Sequence, residues 1–358
     1  MDKPFSILEH LSLSFTGENP SLTPLKICPL FLAPNLRYLY LQGIRLPKRL
    51  RLLSSTLSLV TLKLTNIRAS EYIRPRLLAA RLEPLSQLEE LSIGFAIPIP
   101  RPSAERLLLG KQGTPVTLAN LKSLSFRGVG AYLERLISRI RAPVLKVLYI
   151  TLFNQLAFSL THLSQFVNIT EIIKFSRTAT IEFLPGTYVT LSHRVMDWRS
   201  ANWGQYSVLR VMCKSSDWQI DCTAQICNAL MSTLSGIESL SLMTTPTTPD
   251  HSSPTKSDLE TEEIDDTDES TTWHEILRSF ISVKKLHIDH NLTVQLSRAL
   301  EVDEIGLDPG LLPGLQELVS YYSGEHADNL FGSFIHARQV AGRPVSLRLP
   351  PPSPPPSP

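Results

Sequence analysis

Apolar residues return along this chain in a six-residue unit, L-x-x-L-x-L, whose intervening positions are mostly polar. The unit occurs at Leu8-Leu11-Leu13, Leu36-Leu39-Leu41, Leu59-Leu62-Leu64, Leu88-Leu91-Ile93, Leu121-Leu124-Phe126 and Leu145-Leu148-Ile150. It returns at Ile237-Leu240-Leu242 and Val283-Leu286-Ile288, and more weakly at Leu315-Leu318. Alternation of the inner pair predicts a short strand with one buried face. Between the units the period changes to that of a helix. Tyr132, Leu133, Leu136, Ile137 and Ile140 share one face, as do Ile226, Leu230 and Leu234. Thr272-x-x-Glu275 reads as a capping box opening a helix that carries Trp273, Ile276, Leu277 and Phe280.

Successive units in the first half start 28, 23, 29, 33 and 24 residues apart. Leucine-rich repeats have this spacing, normally ~20–29 residues, with one longer unit here. One such strand cannot bury its apolar face alone, so neighbours stack. The predicted fold is therefore α/β: a degenerate leucine-rich-repeat solenoid, its curved parallel sheet carrying helices on the convex face. The asparagine that would close each unit is replaced by Ile44, Ile67, Ala96, Val129 and Phe153, and only Asn291 matches. Without that polar ladder, irregular curvature is expected.

The first part of the solenoid is expected over 1–243, with an irregular strand-rich section at about 169–214 containing the runs Thr180–Leu184, Tyr188–Ser192 and Val208–Cys213. The segment 244–271 is dense in Ser, Thr, Pro and acid and reads as a disordered acidic loop between repeats. The last repeats follow at 272–347, and 348–358 form a disordered proline-rich tail.

Composition supports a folded chain: 42% of its 358 residues are hydrophobic and 19% charged. No apolar run reaches ~18 residues, and no membrane association is expected. The opening residues lack a signal-peptide pattern and four cysteines make no disulfide framework, so a cytoplasmic or nuclear setting is expected. Net charge is +2, but residues 1–245 hold 27 Lys/Arg against 15 Asp/Glu, and residues 246–358 hold 8 against 18. Nucleic acid is not expected as a partner, because nucleic-acid binding usually shows a stronger basic excess, concentrated in a recognised motif or on one surface.

Little here resembles reaction chemistry. Gly128-x-Gly130 lacks the third glycine of a dinucleotide turn and reads as a plain strand-to-helix turn. Cys213, Cys222 and Cys227 lack the paired spacing of zinc sites and read as structural thiols, and the nine histidines show no metal-binding spacing. No G-x-S-x-G elbow or phosphate-binding loop is present. The chain is expected to be non-enzymatic, with no cofactor, metal or catalytic residue. Its candidate protein-binding surface is the concave face, where side chains between the inner leucines point: Tyr38, Tyr40, Gln42, Lys63, Arg127 and Tyr149.

The segments APNLRYLYL, SLVTLKLTNI, LSQLEELSIGF, GTPVTLANLKSLSFRGV, RAPVLKVLYITLFNQLAF and TTWHEILRSFI together resemble the F-box/leucine-rich-repeat proteins of mushroom-forming fungi. The pairing of APNLRYLYL with the proline-bounded PIPRPSAERLLLGKQGTPVTL is the most specific part, and the resemblance spans roughly Pro4 to Leu347. It implies repeats that capture a protein substrate for an SCF-type ubiquitin ligase. The helical F-box that holds the adaptor subunit has no counterpart ahead of Leu8, so the adaptor is a partner only if an F-box is missing from this chain. The chain is then either a truncated gene model or a repeat-only relative. The expected function is a non-enzymatic protein–protein interaction module for a still unknown protein partner; the alternative is a repeat-type regulator of an enzyme, such as a small-GTPase activator.

Overall fold

The computed structural model describes residues 5–15, 32–44, 53, 56–68, 73–96, 115–153, 160–170, 176–184, 186–192, 207–214, 219–244, 266–301, 311–321 and 330–349. They fall into two compact units, 1–175 with 202–214 and 176–201 with 215–358. Numbered along the chain, the first unit holds strands β1 (His10–Ser14), β2 (Tyr38–Gln42), β3 (Thr61–Ile67), β4 (Glu90–Phe95), β5 (Val116–Thr117), β6 (Ser123–Gly128), β7 (Ile140–Arg141) and β8 (Val147–Phe153). Strands β9 (Thr178–Leu184) and β10 (Gly186–Ser192) belong to the second unit, and β11 (Ser207–Lys214) to the first. Then β12 (Ser239–Thr244), β13 (Lys285–Ile288), β14 (Glu317–Ser320) and β15 (Ser346–Arg348) complete the second. Each unit is an open α/β solenoid of alternating strands and helices.

In the first unit β1, β2, β3, β4, β6, β8 and β11 lie side by side, all parallel. Their register puts Leu11, Leu39, Leu62, Leu91, Leu124 and Leu148 in one line and Leu13, Leu41, Leu64, Ile93, Phe126 and Ile150 in the next. From β2 onward both lines are fully buried. Each such leucine contributes about 1.5–3 kcal/mol over an exposed one. The repeat also begins earlier than the leucine pattern suggests. A turn closes ahead of each strand, with Leu36, Leu59, Leu88, Leu121 and Leu145 donating to the carbonyls of Ala33, Thr56, Leu85, Leu118 and Ala142. Those five acceptor residues are buried as well.

Helices Pro75–Leu82, Gly130–Ile137 and Thr161–Ile169 cover the leucine side. The second buries Tyr132, Leu133, Leu136 and Ile137, the face its periodicity predicted. Tyr132 meets Phe95 at 4.7 Å and Phe126 at 6.0 Å between ring centres, and its hydroxyl donates to the Ile73 carbonyl at 2.7 Å. These rings account for Gly128. A Cβ there would lie 2.7 Å from Phe95 Cδ2 and 2.9 Å from Phe126 Cζ. The third helix is capped from outside itself: Glu134 Oε2 accepts from the His162 amide at 2.8 Å, and Oε1 from the Leu163 amide at 2.9 Å.

In the second unit β9 is flanked by β10 and β12, and β13, β14 and β15 continue the row. The β9–β10 pair is antiparallel, unlike the parallel sheet expected, because the two strands follow one another directly and fold back as a hairpin. Helices Gln219–Ala229 and Asp266–Arg278 pack together, burying Ile226, Trp273, Ile276 and Leu277. The capping box expected at Thr272 is not one. The helix begins at Asp266, and Thr272 lies in its interior, its hydroxyl 3.4 Å from Asp221 Oδ1. Most of the expected acidic loop, 245–265, and residues 350–358 of the expected tail lie outside the described residues. Among the described residues no helix is long and apolar enough to cross a membrane.

Candidate functional site

Side-chain alternation turns every second residue of β1–β8 away from the leucine core, and the strand register arranges these residues in rows. One row reads His10, Tyr38, Thr61, Glu90, Ser123, Val147. The central row reads Ser12, Tyr40, Lys63, Ser92, Ser125, Tyr149. Beyond it Ser14 and Gln42 align with Thr65, and Gly94 with Arg127 and Thr151. All six candidate residues therefore lie on one face, five of them half-buried and Arg127 exposed.

The face holds two clusters. Over β1–β4, Gln42 Oε1 accepts from the Tyr40 hydroxyl and from Ser14 Oγ at 3.0 Å, while the His10 and Tyr38 rings lie 5.8 Å apart. Lys63 meets Glu90 at 2.7 Å. The hydrogen bond to Glu90 raises the ammonium's pKa above its ordinary value against the opposing effect of burial, and Tyr38 and Tyr40 are close enough to add to it. Lys63 is thus an ion-paired cation standing beside Tyr40 in the strand register. Over β6–β8, the Arg127 guanidinium sits 5.5 Å from the centre of the Phe153 ring. Tyr149 stands in the central row, three strands from Lys63, about 14 Å at the usual strand spacing.

His10, Ser14, Glu90 and Phe153 complete these clusters. The first three occupy outward positions of the same alternation and were legible from it. Phe153 was not, since it stands where the closing asparagine of the repeat is expected, and only the packing shows it carrying Arg127. Among the described residues no group of three or more His, Cys, Asp or Glu could hold a metal ion. Cys222 and Cys227 are buried free thiols, and burial pushes the Cys227 thiol far up, which suits packing rather than nucleophilic work.

No family and no curated protein matches the chain. Among solved structures, the crystal structure of the TLR13–ssRNA13 complex matches 91% of this chain at 13% identity with a TM-score of 0.32, and the chain spans 37% of the length of that protein. The matched structure is itself a complex with ssRNA, and the expectation that nucleic acid is no partner of this chain is withdrawn. The physical reason is that net charge sums over every face, whereas a nucleic acid meets only one.

Proposed function

We propose that this chain is a non-catalytic leucine-rich-repeat interaction module, akin to the substrate-binding repeats of SCF-type receptors in the F-box/leucine-rich-repeat family of mushroom-forming fungi. The exposed face bearing Tyr38, Tyr40, Gln42, Lys63, Arg127 and Tyr149 is its protein-binding surface. The observation that carries this reading is the central row. Tyr40 and Tyr149 stand four strands apart, about 19 Å, with only Lys63 and the small Ser92 and Ser125 between them. Two aromatic anchors bordering a shallow polar lane suit a protein segment laid across the strands, since buried tyrosines supply much of the energy of protein interfaces.

Photo-crosslinkers placed at positions 40 and 149, with position 77 on the helix side as a control, test the surface in cells. A protein captured from 40 and 149 but not from 77, and lost in the Y40A/Y149A variant, is the expected result. Capture from 77 alone removes the proposal. The ligase kinship has its own test: that captured protein should accumulate when the chain is deleted, and an unchanged level would leave a module without a degradative role.

A further inference from the structure

Among the described residues of the first unit, Lys and Arg are unevenly divided between the sheet face and the helix side. On the sheet face Lys63 is paired with Glu90, which leaves Arg127 as the one unpaired Lys or Arg among the described rows of β1–β8, and β11 continues the central row with Arg210 opposite Tyr149. The helix side differs. The segments 73–83, 115–118 and 130–141 carry six arginines, Arg74, Arg76, Arg81, Arg135, Arg139 and Arg141, and no lysine. The elements that carry them pack against one another. The Tyr132 hydroxyl ties the second helix to Ile73, and the ribbon β5–β7 abuts both helices and pairs Thr117 with Arg141. The acidic residues of these segments are Glu83 and Glu134, and Glu134 is occupied in capping helix Thr161–Ile169.

Fold stability explains part of this set. Arg81 and Arg135 stand in the last turns of their helices, where a cation is favoured by the helix dipole, and together with Arg139 they are half-buried and engaged within the fold. Arg74, Arg76 and Arg141 are exposed and have no such explanation. Arg74 and Arg76 flank the start of helix Pro75–Leu82, whose first turn has no acidic residue, and there the dipole disfavours them.

We infer that this arginine side of the first unit docks the phosphate backbone of nucleic acid. Arginine forks bind phosphate oxygens two at a time, which lysine cannot do. An acidic protein is the less suitable occupant, because protein interfaces need an apolar or aromatic centre. Leu77 is the one exposed large apolar side chain in these segments among the described residues, and Tyr132 is buried. Phosphate contacts need no such centre, as their affinity comes from released counterions. With no exposed aromatic among the described residues of these segments to stack bases, the contact reads charge and not sequence. This surface is separate from the sheet face and does not rest on the reading of that face.

The test is fluorescence anisotropy of the purified 358-residue chain with a labelled oligouridylate, over a salt series. Binding should weaken linearly in log–log form, and R74Q/R76Q/R141Q should flatten the slope by about 2, at about 0.7 per lost single-strand phosphate contact. R74K/R76K/R141K keeps the charge and should keep most of the slope. The single variants R76Q and R141Q, each flattening it by about 0.7, keep the test open should the triple fail to fold. Undetectable binding of the unaltered chain at low salt overturns the inference, as does a slope indifferent to the glutamine variants. Polyglutamate competing as well as unlabelled oligouridylate at equal charge would assign the surface to an acidic protein and likewise overturn it.

Discussion

Asn120 Nδ2 donates to the backbone carbonyl of Ser86 at 2.8 Å, joining the turn ahead of β6 to the turn ahead of β4. Asn35 makes the same bond to Ser6, at 2.6 Å, one position before its leucine as Asn120 is before Leu121. The polar link between repeats therefore exists, but at the entry to the strand and not at its exit. It runs beside a backbone ladder in which one carbonyl takes two amides from the next repeat: Glu9 from Arg37 and Tyr38, and Glu89 from Lys122 and Ser123.

Replacing Asn120 with Ala should lower stability by about 0.5–1.5 kcal/mol, the usual worth of one hydrogen bond. Urea midpoints with an unchanged m-value would show it. An unaltered midpoint would mean that water replaces the amide at no cost in this exposed turn.

Glu134 should matter more, because it is buried and accepts three hydrogen bonds from the start of helix Thr161–Ile169, including one from His162 Nδ1 at 3.0 Å. The E134A variant should lose about 1.5–3 kcal/mol, the range of hydrogen bonds to charged groups. Hydrogen exchange at the His162 and Leu163 amides should accelerate ahead of the rest of the unit. Uniform acceleration across the unit would show that the cap has no local role.

Substituting Ala at Gly128 forces a Cβ against Phe95 and Phe126 at under 3 Å. Overpacking of this kind costs about 1–3 kcal/mol. Coupling it with Phe95→Leu should recover part of the loss, and a double-mutant cycle on melting temperature reads the coupling. Strict additivity would place the strain elsewhere.

The two sides of a strand should respond unequally. Leu62→Ala should cost about 2–5 kcal/mol, as buried leucine truncations do. Tyr40→Ala, which removes a half-buried ring and its bond to Gln42, should cost less, about 0.5–1.5 kcal/mol. A stable L62A beside an unfolded Y40A would shift the register by one residue and turn the binding face inward.

The second unit should lose stability in acid through Asp289. Burial alone would raise its carboxyl, but the amide and hydroxyl of Thr244 and the His290 ring outweigh it and hold it below the ordinary value. A carboxylate depressed on folding stabilises fully above its unfolded pKa, about 3.9, and that contribution fades as pH falls through the folded value. Chemical denaturation between pH 2 and 6 should show D289N with a flatter acid limb. His287 adds to the decline from a higher pH: burial and then Lys285 lower its pKa, with Glu317 opposing, so its share is complete above about 6.5 and shrinks below it.

How far the chain is legible depends on the reach of each interaction. The leucine lines of the first unit, and with them the outward positions of Tyr38, Tyr40, Lys63 and Arg127, follow from alternation within five residues, because side-chain direction in a strand is a local property. Helix Gly130–Ile137 was readable for the same reason at a different period. The Asn120–Ser86 link, the Arg127–Phe153 contact and the aromatic wall that fixes Gly128 each join residues brought together only by strand register. Pairing decided still more in the middle of the chain. There β11 returns to lie beside β8, and β9 lies beside β12, although both strands come from one segment that reads as a single irregular stretch. The local pattern says which residues must be buried. Which strand buries them is a matter of the lowest total free energy over distant partners, and that is settled only when the whole sheet forms.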